Sequence, residues 1–315
     1  MPTHILITRN APEEDLGRVR AVSPDLIVEK APTMEEALAR AAHAEIILAG
    51  RWSDDLWRGA PNLRWVQCSG AGVERFLTPE FIASPIMLTN AAGIYAIPIA
   101  DHVLAFMLCF SRGFPRYLRS QLDHKWERDG GDELAGKTLG IIGLGGIGAE
   151  VAKRAKAFDM RVIAIRRRPD RPSPFADEVR GPDSLPWLLV ESDYIALCAA
   201  LTPNTRHLIG EPELKLMKPT ACLINIGRGR LIDEPALITA LQAGRLAGVG
   251  LDVFAQEPLP ADSPLWGMPN VVITPHSSGS SPRSHDRLME LFCENLRHYL
   301  AGEELLNVVD KGEGY

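Results

Sequence analysis

The chain has no CxxC pair and no Cys/His cluster at zinc-ligand spacing. Its five cysteines, Cys68, Cys109, Cys198, Cys222 and Cys293, are odd in number and widely separated. This argues against a disulfide framework and a structural zinc, and no metal site is expected. Cys109, Cys198 and Cys222 lie in apolar runs, where cysteine serves as a small buried hydrophobe. Basic charge is not in excess either: 34 Lys and Arg against 40 Asp and Glu give a net charge of −6. That balance lacks the electrostatic footprint of a nucleic-acid binder. Long apolar runs are also missing. The longest stretch, residues 94–110, is interrupted by Tyr95, Pro98, Asp101 and His102. It falls short of the roughly 20 residues that span a bilayer and reads as a buried helix. The N-terminus, MPTHILITRN, has neither the basic n-region nor the cleavage site of a secretory signal. A soluble, cytoplasmic protein with no membrane partner is expected.

What is present is globular. Of 315 residues, 46% are hydrophobic, and the length suggests two domains. Short β-branched runs alternate with helical patterns. Residues 4–8, 45–49, 64–68 and 86–89 read as strands, with a helix over 34–42. A long helix is predicted over 99–119, then a polar loop over 123–136. A second block opens at Lys137 with strands at 138–142, 161–165, 194–199, 221–225, 248–253 and 271–274. Helices are predicted at 146–158 and 285–300. This rhythm argues for parallel α/β sheets buried on both faces.

Gly143-Leu144-Gly145-Gly146-Ile147-Gly148 is a GxGxxG motif directly after a strand and opening a helix. Gly143 permits the tight turn, Gly145 lets backbone approach a pyrophosphate, and Gly148 admits close helix–strand packing. The first helical amides, including those of Gly146 and Ile147, then face the phosphates. An acidic residue is expected at the end of the next strand to take the ribose hydroxyls of NAD. Arg166, Arg167 and Arg168 stand there instead. They predict a clamp on a 2′-phosphate, hence a preference for NADP(H) that leaves room for NAD(H).

Three further strand ends carry candidate chemistry. Arg228 lies between glycines in NIGRGR, a donor fork suited to a carboxylate. Glu257 ends GLDVFAQEP, and His276 lies in TPHSSG. Histidine is the natural acid/base near neutral pH, and a neighbouring carboxylate fixes its tautomer.

These residues carry a resemblance. GLGGIG, LTPNTRHLI (201–209), INIGRGRLIDE (224–234), GLDVFAQEPLP (250–260) and TPHSSG (274–279) resemble the D-isomer-specific 2-hydroxyacid dehydrogenase family. SGAGVERF (69–76) and NAAGIYAIPIADHVLAFML (90–108) match it as well. The resemblance implies a Rossmann-type nucleotide lobe (100–283) inserted into a flavodoxin-like substrate lobe (1–99 plus 284–315). The active site would lie in the interlobe cleft, with lobe closure as its gate. Arg228 would bind and polarise a 2-keto acid, Glu257 would pair with His276, and His276 would act as acid/base. Asp252 would hold the nicotinamide carboxamide, with Thr205 and Ile226 also at the cofactor. Backbone of Gly70, Ala71, Gly72 and Val73 would hold the substrate carboxylate.

Departures are Asp101 where the family often has Glu, and Ala200 where it often has Pro. No C-terminal regulatory domain is expected, unlike in the longer phosphoglycerate dehydrogenases. Expected partners are a small 2-keto or 2-hydroxy acid and a second copy, docked through the nucleotide lobe, which Trp126 would reach. Trp52, beside Gly50 and Arg51, is either a specificity residue or part of the core. Alternatives are a nucleotide-sensing protein resembling the C-terminal binding corepressors, or a formate dehydrogenase.

Overall fold

The structure, a computed structural model, describes residues 2–128 and 130–314. The chain divides into two compact units, Met1–Tyr95 with Ser281–Tyr315, and Ala96–Ser280. These boundaries lie a few residues before those read from the sequence, because they coincide with helix starts. One helix begins at Ala96 and another, capped by Ser281, at Pro282.

The first unit has five parallel strands: β1 (Thr3–Ile7), β2 (Leu26–Lys30), β3 (Ile46–Ala49), β4 (Trp65–Cys68) and β5 (Met87–Thr89). Their order is β2-β1-β3-β4-β5, the flavodoxin-like winding. Helix Pro282–Ala301 returns to cover one face, with Leu288, Met289, Phe292 and Leu296 packed against Ile5, Ile7 and Trp65. Trp65 lies 5.4 Å from Phe292 and 5.5 Å from Tyr299, and its indole donates to Thr89. On the other face Trp52, partly buried, packs on Phe76 and edge-on to Phe81 at the margin of the core.

The second unit adds β6 (Thr138–Ile142), β7 (Arg161–Ile165), β8 (Glu178–Arg180), β9 (Tyr194–Leu197), β10 (Cys222–Asn225), β11 (Gly248–Leu251) and β12 (Val271–Ile273). The order β12-β11-β10-β9-β6-β7-β8 is parallel throughout. Strand order reverses between β6 and β9, the switch point at which doubly wound sheets bind ligands.

The helix predicted over 99–119 is in fact two, Ala96–Ser111 and Phe114–Leu122, bent by 67°. Gly113, at φ +71°, makes the break. Ala96–Ser111 lies close on the sheet because Gly248 and Gly250 have no side chains. A Cβ at Gly250 would stand 2.8 Å from the Phe106 ring. Among the described residues, no single helix is long and apolar enough to cross a membrane. All five cysteines are free thiols. Burial pushes Cys198 and Cys222 up to about 12, so both stay protonated and inert.

Candidate active site

The glycine motif closes β6 at the switch point. Gly143 has φ +98°, and a Cβ there would lie 2.6 Å from the Ala199 amide nitrogen. A Cβ at Gly148 would lie 2.4 Å from the Gly143 carbonyl oxygen, so helix Gly146–Lys156 could not sit this near the strand. At Gly145 a Cβ would meet nothing within 4 Å, which leaves open space above the turn. Gly145 is the N-cap and offers no side-chain cap to the first helical amides. A phosphate accepting from Gly146 and Ile147 would satisfy them. This cradle fits a dinucleotide.

Arg166 follows β7, its backbone amide bonded to the Arg180 carbonyl. Its guanidinium leans over the same turn, donating to the Leu144 carbonyl at 3.4 Å and to the Arg171 carbonyl. Its Nε is buried and has no partner among the described residues. Arg167 and Arg168 are exposed beside it. Thr205 turns inward: its hydroxyl donates to the Ala200 carbonyl at 2.7 Å and accepts the Thr202 amide at 2.7 Å. It shapes the loop after β9. Ile226 is buried at the end of β10.

Asn225, unremarked in the sequence, builds the turn that carries Arg228. Its side-chain oxygen accepts the Gly227 amide at 3.1 Å and its nitrogen donates to the Arg228 carbonyl at 3.0 Å. Arg228 is half-buried and donates to the Gly227 carbonyl at 2.7 Å. A Cβ at Gly229 would coincide with the backbone of Phe254, 1.9 Å away. Only glycine lets the Arg228 turn abut the segment that leads to Glu257.

Glu257 and His276 meet directly. His276 Nδ1 lies 2.6 Å from Glu257 Oε2, and Oε1 accepts the Phe254 amide at 3.0 Å. The Glu257-Pro258 peptide is cis. With Nδ1 occupied, His276 Nε2 is left for other chemistry, on a side chain half exposed. The backbone of His276 is left-handed, at φ +51°, costly for a residue with a Cβ. Asp252 holds it there. The Asp252 carbonyl accepts the His276 amide at 2.8 Å. The Asp252 carboxylate accepts the Ser277 and Ser278 amides at 2.9 and 3.0 Å and the Thr274 hydroxyl at 2.6 Å. Asp252 is fully buried. Its carboxylate thus ties Thr274, Ser277 and Ser278 to the end of β11.

In the first unit, residues 70–73 form an open turn after β4. Gly70 donates to Cys68 Sγ at 3.3 Å. Among the described residues no partner is found for the amides of Ala71, Gly72 and Val73.

Residues 104–278, more than half of the chain, match the family model for the D-isomer specific 2-hydroxyacid dehydrogenase, NAD binding domain. The chain belongs to this family. As a 2-hydroxyacid dehydrogenase it is 35% identical to a glyoxylate reductase of Korarchaeum cryptofilum, over 99% of this chain and 97% of that one. Its structure resembles that of a D-isomer specific 2-hydroxyacid dehydrogenase from Xanthobacter autotrophicus, solved with NADPH and MES. The TM-score is 0.89 at 28% identity, covering all of both chains. It also resembles an NADPH-dependent glyoxylate/hydroxypyruvate reductase from Sinorhizobium meliloti, solved with NADP and sulfate. There the TM-score is 0.86 at 26% identity, over 99% and 100% of the two chains. In this 2-hydroxyacid dehydrogenase Glu257 pairs with His276 at 2.6 Å, and the turn that carries Arg228 abuts the Phe254 backbone.

Proposed function

We propose that the protein reduces a small 2-keto acid to the D-2-hydroxy acid with NAD(P)H, preferring NADPH. The observation that carries this reading is the Glu257–His276 contact of 2.6 Å on a sheet that also bears the glycine cradle. Gly143, Gly145, Gly146, Ile147 and Gly148 would hold the pyrophosphate, and Arg166 would hold the 2′-phosphate. When bound, the reduced nicotinamide supplies the hydride received by the keto carbon. His276 gives its Nε2 proton to the keto oxygen, Glu257 stabilises the charged ring beforehand, and Arg228 offsets the charge that develops on that oxygen. The free amides of Ala71, Gly72 and Val73 suit the substrate carboxylate.

The relatives support an enzyme over a nucleotide-sensing corepressor, since curated chains that match it along nearly its whole length include glyoxylate reductases and a D-3-phosphoglycerate dehydrogenase. A cytoplasmic location belongs to the same proposal and agrees with five free thiols. So does a homodimer formed through the second unit. Phe114, Leu118 and Leu122 repeat every four residues along one helix and are exposed, and Trp126 beyond them is 88% exposed. A second copy would cover this stripe, and Leu118→Glu should shift sedimentation toward the monomer.

The deciding experiment follows NADPH and NADH oxidation with glyoxylate, hydroxypyruvate and longer 2-keto acids, with chiral analysis of the product. Turnover to the D-product is expected. Tight nucleotide binding with no turnover of any keto acid would favour the sensing alternative.

A further inference from the structure

Thr274 stands between the side chains of Asp252 and His102. Its hydroxyl lies 2.6 Å from Asp252 Oδ1 and 3.0 Å from His102 Nε2. A hydroxyl has a single proton. The shorter contact, to a carboxylate, takes it, so the Thr274 oxygen accepts and His102 Nε2 donates. The imidazole is thereby fixed as the Nε2–H tautomer. Burial holds its proton affinity below the usual histidine range, against an opposing pull from Asp252. The ring is neutral at pH 7.

His102 is anchored independently of the His276 loop. Phe106 meets its ring edge-on at 4.8 Å, and the glycine at 250 lets their shared helix settle onto the sheet. From that fixed point a chain of hydrogen bonds runs through Thr274 and Asp252 to the amides of Ser277 and Ser278, which directly follow His276.

We propose that His102 is a positioning residue for the reduction: by donating to Thr274 it aims that hydroxyl at Asp252, and the Asp252 carboxylate so oriented holds His276 in its left-handed conformation. This rests on the reading of His276 as the proton donor. Each member of the chain polarises the next, so its loss is felt at the far end.

The test is a double-mutant cycle on the whole enzyme, His102→Phe, Thr274→Val and the pair, with His102→Gln as the conservative variant whose amide restores a donor. Each of the two removals should lower kcat about tenfold, and leave the Kd for NADPH from fluorescence titration within about twofold. The pair should lose about tenfold, not about a hundredfold, because both changes cut one chain. His102→Gln should return kcat to within about threefold of wild type. Wild-type kcat in His102→Phe, fully multiplicative losses, or a Gln variant no better than Phe would each overturn the proposal. If His102→Phe does not fold, Thr274→Val decides: an unchanged kcat there overturns it. His276→Asn, run alongside, separates the two ideas. If that variant is inactive while the cycle is multiplicative, the relay alone falls; if it turns over normally, both fall.

Discussion

His276 and Glu257 are joined at 2.6 Å through Nδ1 and Oε2, while the second oxygen of the same carboxylate fastens the Phe254 amide at 3.0 Å. One side chain thus aims the imidazole and closes the turn after β11. Glu257→Gln keeps the shape and gives up the charge. The charge-assisted bond is about twice as strong as a neutral one, so kcat/KM should fall about 10- to 100-fold, with cofactor Kd unchanged. Steady-state kinetics beside an equilibrium titration would show this, and a variant as fast as wild type would remove Glu257 from the proton step.

Arg228→Lys separates charge from geometry. The turn built by Asn225 presents a planar fork, and lysine retains only a point charge on a flexible stem. A loss of roughly 2–4 kcal/mol of transition-state stabilisation is expected, about 30- to 1000-fold in kcat/KM. Kinetics near wild type would show that Arg228 contributes general field alone.

Arg166→Asp addresses the cofactor. The variant exchanges a donor with a free Nε for a carboxylate that accepts from ribose hydroxyls and repels a 2′-phosphate. One charge-assisted bond is worth about 1.5–3 kcal/mol, so the Kd for NADPH should weaken at least tenfold while that for NADH tightens. A wild-type enzyme that binds NADH more tightly than NADPH would make the arginine cluster a solvated loop.

Asp193 offers a test of stability against pH. Burial raises its carboxyl, but the Lys218 ammonium at 2.8 Å and the Thr138 amide at 2.9 Å outweigh that, and the net shift is below the ordinary value of 3.8. A carboxylate held lower in the folded state stabilises above its unfolded pKa, and that contribution is lost as pH falls through the folded one. Asp193→Asn should cost about 1–2 kcal/mol at pH 7 for this partly exposed group, with the gap to wild type closing below about pH 4. Urea melts at pH 7 and pH 3 measure both; a gap that does not narrow would refute the assignment.

The parts legible in the sequence are those whose reasons are local. Gly143 and Gly148 must be glycine because backbone within reach of their own turn leaves no room. The fully buried strands β6 and β9 read as unbroken apolar runs. Edge strands were harder. β2 and β8 are half-exposed, and neither LIVEK nor EVR announces itself. The continuous helix over 99–119 failed at Gly113, where one left-handed residue redirects an otherwise helical pattern. The support behind His276 was invisible for another reason: Asp252, Thr274 and His102 lie far apart in the chain, and only folding shows that one hydroxyl joins them.

The return of residues 281–315 to the first unit sets the timetable of biosynthesis. When Ser280 leaves the ribosome, the inserted unit possesses its whole sequence. Trp65, by contrast, still waits for Phe292 and Tyr299, and Ile5 and Ile7 for Leu288 and Met289. The segment made first is therefore finished last, with an apolar sheet face uncovered throughout the interval, an exposure that favours aggregation. A premature stop just before Ser281 would leave one completed unit tethered to an aggregation-prone remnant, so such truncations should be cleared by cellular quality control long before their lost catalysis matters.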